Sequence, residues 1–494
     1  MKFISTRDSN KNKYSSAQVI QQGLADDGGL FVPESIPRLS LDEIKELSIL
    51  SYQELSATIL SKFLSDYSFD ELLNSSKSAY SQSKFGNDPC PLVKLNDNTF
   101  SLELWHGPTC AFKDMALQIM PRLLSLALQK NNEKSTALVL VATSGDTGKA
   151  ALEGYRDVNQ IKICVFYPED GVSAVQKLQM ITQEGKNVNV CAVEGNFDDI
   201  QSAVKQIFAN QEINSNLKKM GYFLSSANSI NFGRLAPQIV YYFKSYCDLL
   251  KSNRINIGDK INVCVPTGNF GNILAAYIAK IMGLPIEKLI CASNSNNILT
   301  DFLNSGSYDR NRKFHLTISP SMDILISSNL ERLLYFIAGT KKTVDWMSSL
   351  NQNGFYKVDN ETLKEIKNSF YGFCATEDQT KETIKKYKLS NDYLMDTHTA
   401  VAFSALNQYR NSTGDETICV VASTANPYKF AKDVYNSLTS KETEDGLSAF
   451  DELYNKSSVH IPQPLANLST KEVKFNIVVN KNQMFDEVLK FINK

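Results

Sequence analysis

Short apolar, β-rich runs recur at 136–142, 161–167, 188–193, 222–225, 261–265, 289–292 and 417–422, separated by stretches of helical periodicity. Strands alternating with helices build βαβ units, so an α/β architecture with a mostly parallel sheet is expected. Ahead of this pattern, leucine and isoleucine recur three and four residues apart over 41–60 and again near 69–80, which predicts a mainly helical N-terminal region. Between 300 and 395 the pattern is mostly helical and charged, and K-E-T-I-K-K around Lys381 reads as a solvated face. Only weak alternation marks the end of the chain. A length of 494 residues exceeds what one hydrophobic core usually takes, so two or more domains with a cleft between them are expected.

The charge balance excludes several classes. Fifty-two basic against 53 acidic residues leave a net charge of −1, with no footprint for nucleic acid and no polybasic patch for a membrane surface. The longest apolar runs fall far short of a bilayer span, and the polar start M-K-F-I-S-T-R-D lacks a signal-peptide core, so a cytoplasmic protein is expected. Nine cysteines without a C-x-x-C pair read as reduced, buried thiols, and four dispersed histidines show no metal-ligand spacing, so no metal is expected. The oligomeric state stays open.

In open α/β sheets, ligands sit at the carboxyl ends of strands, so the turns there are where chemistry is sought. Thr143-Ser144-Gly145-Asp146-Thr147-Gly148 lies between a strand and a helix beginning near Lys149. Its hydroxyls and exposed N–H groups suit an anion such as a carboxylate, although an ordinary turn with Asp146 or Thr147 as cap has the same look. Thr267-Gly268-Asn269-Phe270-Gly271-Asn272 precedes a helix over 273–282, where glycines let the backbone approach a phosphate and the helix dipole favours a dianion, although a tight turn using glycine for positive φ has the same look. Neither a Walker loop nor a G-x-G-x-x-G fingerprint is present. Ser423-Thr424-Ala425-Asn426-Pro427 ends another strand, and a hydroxyl there reads equally as a cap for a helix opening at Pro427. In S-A-N-S-I-N-F-G-R, 226–234, Asn228, Ser229 and Arg234 follow a strand and converge on a helix start, as a second phosphate requires, although Arg234 reads equally as a surface arginine on a helix.

Lys113 stands in W-H-G-P-T-C-A-F-K-D-M-A-L-Q, 105–118, flanked by Ala111, Phe112, Met115 and Ala116. A lysine held among apolar groups loses its proton more readily and becomes a nucleophilic amine, as a Schiff base with an aldehyde cofactor requires.

These residues together resemble the threonine synthases, pyridoxal-phosphate (PLP) enzymes that convert O-phospho-L-homoserine and water into L-threonine and phosphate. The resemblance runs in chain order from S-T-R-D and G-L-A-D-D-G-G-L-F-V-P-E, which starts at Gly23, through the Lys113 segment, A-T-S-G-D-T-G from Ala142, P-T-G-N-F-G-N from Pro266 and A-S-T-A-N-P from Ala422. It implies a fold type II PLP-dependent enzyme: two α/β domains with mostly parallel sheets and a helical N-terminal region. The divisions expected are 1–95 for that helical region, 96–245 for a domain with the cofactor lysine and substrate-binding turns, 246–440 for a domain with the phosphate cup and a helical insertion, and 441–494 for a C-terminal segment. PLP would lie between the domains, with the Lys113 and Ser144 segments on one side and the Gly268 and Thr424 segments largely on the other.

The resemblance further implies that Lys113 carries PLP and then serves as base at Cα. Gly268, Asn269, Phe270, Gly271 and Asn272 would cup the cofactor phosphate, and Thr424, rather than Ser423, would bond the pyridine nitrogen. Ser144, Asp146 and Thr147 would take the substrate carboxylate, and Asn228, Ser229 and Arg234 its phosphate. Asp146 stands where many of the wider group carry asparagine, which leaves its contact with the PLP ring hydroxyl open. The segment D-T-H-T-A, 396–400, matches a signature of these enzymes yet reads as well as a helix start, and His398 is given no catalytic role. A phospho-lyase that releases a keto acid and a non-catalytic binding protein keeping the fold are the alternatives.

Overall fold

The computed structural model of this protein describes every residue except Ser144, Gly171, Lys494 and the side chain of Asp198. Two sheets organise it. The first is wholly parallel, in the order Ile477–Asn480, Val188–Glu194, Ile161–Pro168, Thr136–Ala142, Tyr222–Ser225. Its central strands are buried on both faces, which is why they read as unbroken apolar runs instead of alternating ones. The period of two survives in the packing. Leu138, Leu140, Cys164 and Phe166 join one apolar cluster, with Val488 and Phe491 of the C-terminal helix Met484–Ile492, whereas Ala137, Val139, Ile163 and Val165 face the main core.

The second sheet runs Phe370–Cys374, Ile286–Ser293, Ile261–Pro266, Cys419–Ser423, Thr99–Glu103, Leu92–Asn96. All neighbours pair in parallel except the last two, which form an antiparallel hairpin. The same division of faces recurs, with Val263, Val265, Leu289 and Val420 toward the main core and Cys264, Ile290 and Val421 toward a second cluster built on the helix Thr397–Thr413. The main core contains side chains from both sheets and from the N-terminal helices, so the halves share one apolar interior.

The N-terminal region is helical, as its periodicity predicts, with a small antiparallel pair, Phe3–Ser5 with Phe31–Pro33, at its start. Helices Ser16–Gln22, Leu41–Leu47, Tyr52–Phe63 and Phe69–Ala79 each begin on a serine whose hydroxyl caps the third backbone N–H while that residue's Gln or Glu side chain caps the serine N–H in return. Each such cap contributes about 1 kcal/mol.

The structure adds strands the sequence reading lacks. Phe370–Cys374 lies within a stretch read as helical, where Gly372 and charged helical flanks mask a short edge strand. Glycine is required there because a Cβ would come within 2.9 Å of the Thr300 Cα. Ile477–Asn480 returns the end of the chain to the first sheet beside Val188–Glu194. Among the described residues no helix is long and apolar enough to cross a membrane, and no His, Cys, Asp and Glu cluster suits a metal.

Candidate active site

The four turns singled out in the sequence all stand at carboxyl ends of strands: Thr136–Ala142, Tyr222–Ser225, Ile261–Pro266 and Cys419–Ser423. Lys113 reaches them from the loop after Thr99–Glu103. That loop is stitched to the Thr424 turn: Phe112 N donates to Thr424 O at 2.8 Å, Asn426 N to Cys110 O at 3.0 Å, and Ala111 bridges Ala425. The lysine loop and Thr424 thus sit side by side, not on opposite sides of a cleft as the resemblance implies, because Thr99–Glu103 pairs with Cys419–Ser423.

Lys113 is 8% exposed. Its Nζ donates to Ser321 Oγ at 3.3 Å and lies 3.7 Å from Asp146 Oδ2. Burial lowers its pKa; Asp146 opposes this, while Arg234 and Lys429 push the same way as burial. A buried amine disposed to lose its proton is what carbonyl condensation requires.

The helix after Thr143 begins at Asp146, not near Lys149, and Thr143 Oγ1 accepts from Gly145 N at 3.0 Å and Gly148 N at 2.9 Å to shape the turn. Ser144 lies outside the described residues. Thr147 is half-buried in the first turn of that helix. Asp146 is buried and engaged: Oδ1 accepts from Gln176 Nε2 at 2.9 Å and pairs with Lys429 Nζ at 3.0 Å. Burial would raise its pKa, but Lys429, Lys113 and Gln176 together hold it well below the usual carboxylate range.

The glycine turn is built for close approach. A Cβ on Gly268 would stand 2.6 Å from the Ser321 carbonyl oxygen, and Phe270, at φ 59°, turns the backbone into the helix Gly271–Ile281 while its ring packs inward. Asn269 O accepts from Asn329 N at 3.1 Å and Asn329 Nδ2 at 3.0 Å. Asn272 Oδ1 accepts from the hydroxyls of Tyr241 at 2.7 Å and Tyr242 at 2.5 Å, yet its Nδ2 is buried without a partner among the described residues. An orphaned buried donor is costly unless a ligand meets it.

At the third turn, Ser423 Oγ is occupied, accepting from Trp105 Nε1 at 2.9 Å and Thr399 Oγ1 at 3.2 Å. Thr424 is 5% exposed, its N–H donates to Thr399 Oγ1 at 3.3 Å, and its own hydroxyl has no protein partner among the described residues.

In the fourth segment the helix cap is Asn231, whose Oδ1 accepts from Gly233 N at 2.9 Å, so Asn228 and Ser229 precede the helix proper. Asn228 is exposed and Ser229 half-buried; Ser229 Oγ donates to Asn228 Oδ1 at 3.2 Å and accepts from Asn329 Nδ2 at 3.4 Å. Arg234 is buried against Ala227 O at 2.8 Å.

Several side chains at the site were absent from the sequence reading or, like His398, were given no role in it. Arg332, fully buried, donates to Phe31 O, Asn329 Oδ1 and Ile230 O, and its neighbour Glu331 binds Thr6 and Arg7 of S-T-R-D. His398 Nε2 accepts from Ser321 N at 3.1 Å, with Nδ1 on Asp396 Oδ1 at 2.9 Å, so it braces the turn against which Gly268 and Lys113 pack. Lys429, two residues beyond Pro427, carried a readable signal in its place beside the Thr424 motif; Ser321 and Arg332 carried none.

Residues 2–80 match the family described as Threonine synthase N terminus, 85–424 Pyridoxal-phosphate dependent enzyme, and 399–492 Threonine synthase, C-terminal. Threonine synthase of Saccharomyces cerevisiae is 37% identical over 526 residues, covering 99% of this chain and 98% of its own. Human threonine synthase-like 1 is 38% identical over 482 residues, covering 94% of this chain, which spans only 64% of that protein's length. The crystal structure of PLP-bound threonine synthase from Brucella melitensis superposes with a TM-score of 0.88 at 34% identity, covering 100% of this chain and 99% of the other. PLP fits the residues present: a buried amine at Lys113, an unpartnered hydroxyl at Thr424, and a glycine turn with an unsatisfied donor at Asn272. On the sequence match and the superposition alike, the chain belongs to the fold type II pyridoxal-phosphate dependent enzymes, in their threonine synthase family.

Proposed function

We propose that the protein converts O-phospho-L-homoserine and water into L-threonine and phosphate. The observation that carries this reading is Asn329, whose Nδ2 reaches both Ser229 Oγ and Asn269 O and so joins two anion-suited turns side by side. One turn suits the cofactor phosphate and the other a phosphate belonging to the substrate.

In this reading Gly268, Asn269, Phe270, Gly271 and Asn272 hold the cofactor phosphate by backbone N–H groups and the free Asn272 amide, and Thr424 offers its hydroxyl to the pyridine nitrogen. Bound PLP supplies an aldehyde for Lys113 and a ring that accepts electron density from the substrate's Cα. Lys113 would hold the cofactor through its amine and, free as a neutral amine beside the substrate, would take the Cα proton. The backbone N–H groups of Asp146 and Thr147 at the helix start and the Thr147 hydroxyl take the substrate carboxylate, together with Ser144. Asn228, Ser229 and Arg234 grip the γ-phosphate; Arg234, buried without an acid, both orients it and stabilises the charge gathered as it departs. Released phosphate held there relays protons to the carbon skeleton while water adds at Cβ. The chain's nine free thiols support a cytoplasmic setting.

Incubation with O-phospho-L-homoserine and assay of threonine and phosphate tests this reading. Equal yields of both are expected from the parent and neither from Lys113→Ala that has kept its fold. Appreciable threonine from that variant would remove Lys113 from the site.

A further inference from the structure

Among the described residues, Asp146 is the one carboxylate within ion-pair distance of two buried lysines. The sharing is unequal. Oδ1 is taken by Lys429 Nζ at 3.0 Å and by Gln176 Nε2 at 2.9 Å, while Oδ2 stands 3.7 Å from Lys113 Nζ, beyond hydrogen-bond range. The Lys429 side chain is 0% exposed and also donates to Gln179 Oε1, so it is fixed in place. One carboxylate balances one ammonium; a second ammonium in the same enclosed volume is left uncompensated, and the less firmly paired lysine gives up its proton.

We propose that Lys429 is a positioning residue that claims the Asp146 charge for itself, so that Lys113 is left as the neutral amine that condenses with the cofactor aldehyde. The inference rests on the reading of Lys113 as the cofactor lysine. In that condensation the amine nitrogen bonds to the aldehyde carbon, the carbon–oxygen bond breaks, and both amine hydrogens leave with the oxygen as water. An ammonium has no lone pair for the first step.

The other charged groups facing these lysines leave the assignment intact. Arg234 faces Lys113 and adds to the repulsion. Facing Lys429 are Asp114, held by Thr109 N and Oγ1, both at 2.8 Å; Lys149, paired with Glu153 at 3.4 Å; and the Cys110 thiol, which burial pushes up to about 12. Asp114 is the one carboxyl among them, and its oxygens are taken by Thr109 and face Lys429, not Lys113.

The test uses cofactor-free full-length protein and PLP, following the absorbance of condensation across pH, then borohydride reduction and mapping of the labelled lysine. Parent and Lys429→Arg should condense with one pH midpoint. Lys429→Met should need a pH about one unit higher or more, a tenfold change in the neutral fraction of the amine, and Asp146→Asn/Lys429→Met should return close to the parent. A parental midpoint in Lys429→Met, or a double variant as displaced as Lys429→Met, would overturn the proposal. Should circular dichroism show Lys429→Met unfolded, Asp146→Asn is set beside the double variant: with Lys429 unpaired its midpoint should lie lower, and equal midpoints would overturn the proposal. Reduced label on Lys429 instead of Lys113 would overturn the underlying reading of the cofactor lysine itself.

Discussion

Arg234 donates to the Ala227 carbonyl at 2.8 Å from a position 6% exposed, and no carboxylate pairs with it among the described residues. Burial brings its pKa down to about 10, so it remains cationic at neutral pH and carries an unbalanced charge. If Arg234 grips the substrate phosphate as proposed, Arg234→Ala should remove a charge-assisted contact, a loss of roughly 1.5 to 3 kcal/mol in transition-state binding. A fall in kcat/KM with normal PLP content is expected; loss of PLP would place Arg234 at the cofactor instead.

Gly268 and Gly271 separate by what a side chain would meet. Gly268→Ala puts a Cβ 2.6 Å from the Ser321 carbonyl, so the turn must shift and PLP retention should fall. Gly271→Ala meets its nearest neighbour, Asn329 Nδ2, at 3.5 Å, an ordinary contact, and should retain PLP nearly as the parent does. Equilibrium dialysis of both variants checks the order, and equal retention would show that the turn does not hold the cofactor.

His398→Ala leaves the half-buried Ser321 N–H without its acceptor, at a cost of about 0.5 to 1.5 kcal/mol, and loosens the turn beside Lys113 and Gly268. Weaker PLP binding is expected, with His398→Gln recovering part of it because an amide oxygen can accept the same bond. Unchanged PLP affinity in His398→Ala would remove the brace from the account.

Asp114 has its pKa raised by burial to about 7, against the hydrogen bonds from Thr109 that favour its charge. Unfolded, it ionises near 4. Between these values the unfolded chain holds fewer protons, so this group's contribution to stability is full below about pH 4 and is lost as pH rises through about 7. Tm should therefore decline from pH 5 to 8, and Asp114→Asn, which can still bond Thr109, should flatten the decline. An unchanged slope would contradict the assignment.

The parallel strands were legible because burial on both faces makes them continuous apolar runs, as in Thr136–Ala142 and Ile261–Pro266. Thr99–Glu103 was not, since Thr, Ser and Glu alternate with two apolar residues and only partner strands explain their burial. At the candidate site, the apolar flanks of Lys113 and the glycine turn were visible in the local sequence, whereas roles for them and for Arg234 came from the resemblance to threonine synthases. Ser321 lies 208 residues from the lysine it contacts, and Arg332 sits in a helix whose charged residues suggest solvent. Tertiary packing alone assigns them, and no local spacing encodes it.

If one site holds both phosphates, loss of the substrate's phosphate is coupled to hydration of its carbon skeleton. The most direct measurement follows phosphate and amino-acid products together after adding O-phospho-L-homoserine to the PLP-loaded protein. The account predicts one L-threonine for each phosphate released. Phosphate accompanied by a keto acid in place of threonine, or no release at all, would contradict it.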